Sequence, residues 1–120
     1  MEGYKRILQE KMDQFVNGVF DVCAGFPREE IYITSSQLKR AALSIALNYI
    51  EGYARFKEKT QLNFLETAYG SLKETKYLLS FSLQRKYLVQ DRHDLLSKQV
   101  EEIGAMLWTE IVALNKKIGE

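Results

Sequence analysis

Apolar residues recur at spacings of three and four along almost the whole chain, in four stretches separated by short breaks. The first stretch predicts a helix over 5–24. Leu8, Met12, Phe15, Val19 and Val22 share one stripe, which Val16, Phe20 and Cys23 widen. Gly25 and Pro27 are its stop signals. The connector 25–33 carries Phe26, Tyr32 and Ile33, which are too apolar for a free loop and are expected to pack over the end of a bundle, with a short helical turn after Pro27. A second helix spans 34–56, opened by Thr34 with Gln37 as a capping box, or by Ser35. A turn near 56–60 leads into a third, running to about Tyr87. Its main face is Leu65, Ala68, Leu72, Thr75, Leu79 and Leu83, broadened by Leu62, Phe64, Tyr69, Leu78 and Phe81. Gly70 falls inside this helix, where glycine costs up to ~1 kcal/mol relative to alanine, and so predicts a close helix–helix approach. Asp91 with Asp94 caps a fourth helix carrying Leu96, Val100, Ile103, Leu107, Ile111, Leu114 and Ile118. There is no β-alternation, internal repeat or low-complexity tract. Short connections between four helices predict a single all-α domain, an up-down-up-down four-helix bundle.

The second helix departs from the usual surface pattern. On a helical wheel, Gln37, Arg40, Ser44, Asn48, Glu51 and Arg55 fall in one arc roughly 80° wide. Leu38, Ala42, Ile45, Tyr49 and Phe56 cluster on one side, and Leu43, Leu47, Ile50 and Ala54 continue round the back. A bundle buries only about half of each helix around its core. The back stripe of Leu43, Leu47 and Ile50 therefore needs another cover, and self-association supplies one, because large apolar patches are uncommon on soluble monomers.

Composition adds limits. The chain has 120 residues, 46% of them aliphatic or aromatic, and one proline, which suits a single folded domain rather than disorder. Lys plus Arg is 17 and Asp plus Glu is 16, so a net charge of +1 makes no global case for nucleic acid or acidic lipid. Any such case rests on local patches. The single Cys23 makes no intrachain disulfide and no zinc site, and reads as a buried structural thiol in a reducing compartment. No signal peptide and no membrane-spanning apolar run are visible, which predicts a cytoplasmic protein with no membrane partner.

Chemistry-bearing patterns are sparse. Di-iron bundles use Glu-x-x-His pairs, and the one histidine, His93, follows Gln90 at that offset, so no metal site is expected. No nucleophile–base pair and no glycine-rich phosphate loop occurs, so neither catalysis, cofactor nor small-molecule substrate is expected. The polar arc reads as a solvated edge or as a semi-buried network; the narrowness of the arc favours a network in which Gln37, Arg40, Ser44, Asn48, Glu51 and Arg55 join a carboxylate such as Glu74 on the third helix. In an up-down-up-down bundle one pole collects Lys5, Arg6, Arg55, Lys57, Lys59, Lys116 and Lys117, against Glu2, Glu51, Glu58 and Glu120. Either this pole binds RNA or DNA backbone, or its lysines complement helix ends and keep the protein soluble. Tyr49, Tyr53 and Tyr69 sit at core spacing and read as packing residues.

The stretch from Phe26 to Leu88 resembles the four-helix-bundle family named after the 23S rRNA intervening sequence. The matching residues are Phe26-Pro27, Glu30, Tyr32, Gln37, Arg40-Ala41, Ser44-Ile45, Asn48-x-x-Glu51-Gly52 and Arg55, then Phe64-Leu65, Ala68, Gly70-Ser71, Glu74 and Tyr87-Leu88. Two positions depart from the family pattern: Tyr49-Ile50 replaces a smaller pair, and Lys57 stands where a capping serine is common. The resemblance implies a homo-oligomeric ring, a pentamer, and a likeness to the accessory variability protein of diversity-generating retroelements, which binds nucleic acid and a reverse transcriptase. The expectation is therefore a non-enzymatic oligomeric scaffold for RNA, DNA or a nucleic-acid enzyme. The alternative is a protein-interaction or structural oligomer without nucleic-acid binding.

Overall fold

Four amphipathic segments become four helices because each buries its stripe against the other three. In a computed structural model, which describes residues 2–120, they are α1 (Glu2–Cys23), α2 (Ser36–Tyr53), α3 (Glu58–Gln84) and α4 (Gln90–Gly119). Each helix packs on the two next to it in a square, α1 on α2 and α4, and α3 on α2 and α4, so α2 and α4 lie on a diagonal. The bundle measures 50 × 24 × 19 Å. Its core includes Leu8, Met12, Phe15 and Val19 from α1, Leu38, Ala42, Ile45 and Tyr49 from α2, Leu65, Ala68, Leu72 and Leu79 from α3, and Leu96, Val100, Ile103 and Leu107 from α4.

The helix ends differ from the sequence expectation. Thr34 does not cap α2: its hydroxyl donates to the Glu30 carboxylate at 2.6 Å. A 3-10 turn (Arg28–Glu30) and a wider π-helical turn (Ile31–Ser35) run straight into α2, so the amides a cap would serve are already spoken for by helical backbone. Asp91 lies inside the first turn of α4 rather than before it, and Asp94 accepts from the Gln90 amide at 2.8 Å. That contact, then His93, holds the Asp94 carboxyl below the usual carboxylate range. α3 stops at Gln84, three residues early. Lys86 adopts φ 66°, the Tyr87 amide bonds back to the Ser82 carbonyl at 2.9 Å, and the Lys86 amide to Leu83 at 3.0 Å. This left-handed stop closes orphan carbonyls without glycine.

Phe26 is buried and meets the Tyr87 ring at 5.7 Å, but Tyr32 and Ile33 do not pack over the bundle end; Tyr32 is 90% exposed. Gly70 is not a contact point either. A Cβ there would meet nothing within 4 Å, whereas one on Gly52 would sit 3.1 Å from Phe64 Cβ and 3.3 Å from the Gln61 carbonyl oxygen. The close approach of α2 and α3 is therefore at Gly52. Gly70→Ala is expected to raise stability by up to ~1 kcal/mol, because helix propensity improves and nothing is displaced; a lower midpoint in urea unfolding would contradict an open site at Gly70.

Candidate nucleic-acid interface

The start of α1, the turn between α2 and α3 and the end of α4 meet at one pole. Lys117 pairs with Glu58 at 2.8 Å, and Lys5 reaches Glu110 at 3.5 Å. All seven cations expected there are present, but several are already partnered. Lys5 is held by Glu110 and lies 4.0 Å above the Tyr53 ring, Arg6 pairs with Glu10 at 3.3 Å, and Arg55 pairs with Glu51 and covers the Phe64 ring. Glu58 raises the Lys117 ammonium above its ordinary value. Lys57, Lys59 and Lys116 are exposed and form no ion pair among the described residues. Glu10 and Glu110, uncounted from sequence, lower the field of the pole further. An open hollow of about 530 Å3, lined by Lys5, Arg6, Gln9 and Tyr53 with Glu2 and Gly3, lies beside the start of α1.

Phe56 occupies the tip of this pole. It was expected among the apolar residues of the second helix. Instead α2 ends at Tyr53, the chain turns, and the Phe56 ring is 100% exposed between Arg55 and Lys57. Helix periodicity beyond Tyr53 is what misplaced it.

The polar arc is brought together only in part. Ser44 and Ser71 hydroxyls bond at 2.8 Å across α2 and α3, and the Asn48 amide donates to the Ser44 carbonyl and hydroxyl, each at 2.9 Å. Glu51 and Arg55 pair one turn apart. Gln37 and Arg40 are exposed and make no side-chain hydrogen bond among the described residues. Glu74 does not join the arc. It stands about 60° further round α3 than Ser71 and points to solvent, so Ser71 takes the place expected for it. Leu43, Leu47 and Ile50 are exposed on the outer side of α2.

The one charged residue buried among the described residues was not singled out from the sequence. Glu110 is 2% exposed, and its two carboxylate oxygens accept from the hydroxyls of Tyr49 and Tyr53. Lys5 closes the cluster, and the Tyr4 hydroxyl nearby donates to the Met106 carbonyl at 2.9 Å. Burial first, then the hydrogen bond and the charge of Glu110, raise both phenols above the ordinary tyrosine value. A signal was present: Glu110 falls three residues after Leu107 and four before Leu114, in the core register of α4. Cys23 donates its thiol to the Ser35 carbonyl, and burial pushes it up. Among the described residues no group of three or more His, Cys, Asp or Glu side chains could hold a metal ion, and no helix is long and apolar enough to cross a membrane.

Residues 5–109 match the family described as 23S rRNA-intervening sequence protein. The chain belongs to that family. A solved structure from Bacteroides thetaiotaomicron, a protein of unknown function from the S23 ribosomal protein family, shares the fold with a TM-score of 0.83 at 20% identity, over 90% of this chain and 97% of that one. A comparison with curated proteins found no match. The resemblance read from Asn48-x-x-Glu51-Gly52 and Gly70-Ser71 is thus a family membership, and the bundle is the fold of a solved relative. Within this family member, Gly52 is the α2–α3 contact, while Gly70 and Glu74 lie on the open face of α3.

Proposed function

We propose that this chain is a non-catalytic bundle that assembles from identical copies into a ring, a pentamer, and holds single-stranded stretches of RNA or DNA at its basic pole. The observation that carries the nucleic-acid reading is the α2–α3 turn. A wholly exposed Phe56 stands there between Arg55 and Lys57, with Lys59 one turn on. An exposed ring beside cations suits a base stacked on the aromatic face with its phosphates on the lysines. A ring of copies repeats this turn around an axis, which offsets the small number of free cations per copy. A nucleic-acid enzyme bound to the same assembly fits this reading. The self-neutralised cations Lys5, Arg6, Arg55 and Lys117 favour the second reading, a protein-only scaffold.

The test is light-scattering mass on size exclusion, at low and high salt, with and without an RNA carrying single-stranded loops. Nucleic-acid binding should weaken as salt rises, with a log–log slope of roughly −0.7 for each phosphate held on a single strand. Lys57→Glu with Lys59→Glu should abolish retention of RNA without changing the assembled mass. Phe56→Ala should lower affinity by about 1–3 kcal/mol while leaving the salt slope intact. RNA ignored at every salt concentration would leave the protein-only scaffold standing.

A further inference from the structure

We infer that the ring closes through two different faces: the outer stripe of α2 on one copy seats against the Trp108 face of α4 on the next. This rests on the assembly reading above and names its contact surfaces. α2 and α4 are diagonal in the square, so their outer sides point away from each other. Each carries an uncovered apolar stripe at spacings of three and four. On α2 it is Leu43, Leu47 and Ile50, continued by Ala54 just past the helix end, with Leu47 55% exposed. On α4 it is Ala105, Trp108 and Val112, with Trp108 53% exposed. Both follow the register of a coiled-coil seam, the pattern a neighbouring helix covers best. Patches on opposite sides of a protomer pack head-to-tail, not face-to-self, and a repeated head-to-tail contact generates a ring when the rotation closes.

The two sides complement each other in shape. At the foot of the α2 stripe is an open groove of about 350 Å3, lined by Phe20, Ile31, Tyr32, Lys39 and Leu43 among others. On the opposite side Tyr77 stands out from α3, its ring stacked on Phe81 at 6.3 Å. Beside Trp108 a hollow of about 220 Å3 opens over Gly104 and Ala105, the room left where α4 has small residues. An aromatic knob thus stands opposite a groove, and a branched aliphatic stripe opposite a hollow. Heights match as well. Gly18 packs near Leu96, Lys76 pairs with Glu101, and Tyr49 reaches Glu110, so Phe20 and Tyr77 lie within about two helical turns of each other along the bundle, and Leu47 lies near Trp108. Charges agree at the lower ends. Arg40, which forms no ion pair among the described residues, borders the α2 stripe, and Glu101, whose exposed carboxylate already holds Lys76 within the protomer and has room for a second cation, begins the α4 stripe. Because α2 and α4 run in the same direction in the bundle, a ring with parallel copies brings these ends together.

Two single variants and their mixture decide the matter. Leu47→Glu destroys the α2 stripe and Trp108→Glu the α4 face, and both sites are exposed, so helical content by circular dichroism should be unchanged. Each variant alone should run as a monomer of 14.0 kDa. An equimolar mixture should form a dimer of twice that mass and nothing larger, because one intact α2 stripe and one intact α4 face remain to meet. Val112→Lys should behave as Trp108→Glu does. If Trp108→Glu and Val112→Lys keep the parental mass while Leu47→Glu does not, the interface is α2 on itself and this assignment is overturned, although assembly stands. If the mixture stays monomeric, the assignment also falls. A monomeric parental protein would overturn the assembly reading and this inference with it.

Discussion

Glu110→Ala is expected to cost about 3–5 kcal/mol, the largest loss from any single substitution considered. A domain of this kind has roughly 5–15 kcal/mol in total, so the variant should be partly unfolded at modest urea. The cause is the company Glu110 keeps. Its carboxylate is the acceptor for both the Tyr49 and Tyr53 hydroxyls and the counter-charge of Lys5. Truncation leaves the Tyr49 hydroxyl, on a fully buried residue, with no partner, and an orphaned buried donor costs about 1–3 kcal/mol. Tyr53 and Lys5 recover part of their loss from water, because each is only half-buried. The same reasoning predicts a rescue. Glu110→Leu combined with Tyr49→Phe and Tyr53→Phe removes acceptor and donors together, and should return to within roughly 1 kcal/mol of the parent, since apolar replacement of a buried polar group is often neutral. Urea midpoints for the single and triple variants check both parts. A loss below about 1 kcal/mol for Glu110→Ala would mean that Glu110 is not the hub of this end of the core.

Alkaline pH should unfold the protein steeply, and through the same cluster. The folded state holds the Tyr49 and Tyr53 phenols protonated above the ordinary tyrosine value, by burial first and by Glu110 second. The unfolded chain releases these protons near pH 10. A folded pKa raised above the unfolded one contributes stability that is complete below about pH 10 and declines as pH rises from there through the folded values. Each tyrosine then removes up to ~1.4 kcal/mol per pH unit. From pH 10 to 11, where the unfolded tyrosines go from half to mostly ionised, the pair should therefore cost about 2 kcal/mol. Tyr49→Phe should flatten this limb by about half, and Tyr49→Phe with Tyr53→Phe by nearly all of the tyrosine contribution. Urea unfolding followed by circular dichroism across pH 8–11 reads the slopes; equal slopes in parent and double variant would contradict a shielded phenol pair.

The helices were legible because the relevant physics is local and periodic. A stripe at 3.6-residue spacing reports which side of a helix leaves water, so Leu8, Met12, Phe15 and Val19 fell in the core as their spacing implied. The exposed back of α2, Leu43, Leu47 and Ile50, was legible for the same reason. Helix ends were less so. Thr34 fits a capping box in sequence, but a preceding helical turn had already satisfied the amides it would serve. Phe56 continues the α2 period, yet the helix stops before it reaches that position. Gly70 and Gly52 look alike in sequence, and only the distance to α3 tells that Gly52 is the contact.

The buried cluster shows the limit most clearly. Glu110 stands in the core register of α4, so its oddity was visible, but its partners Tyr49 and Tyr53 lie 61 and 57 residues away. Periodicity tells which way a side chain points and carries no information on which residue of a diagonal helix it meets. By itself, then, the sequence determined the four helices, their inner faces, the uncovered stripe of α2 and the family. The tertiary structure decided that the basic pole is largely self-paired, that Phe56 stands free at its tip, that Glu74 is outside the polar arc, and that a second apolar face opposes the first. Those depend on how four cylinders are rotated and set in height against each other, and that is settled by packing across the whole bundle rather than along any one helix.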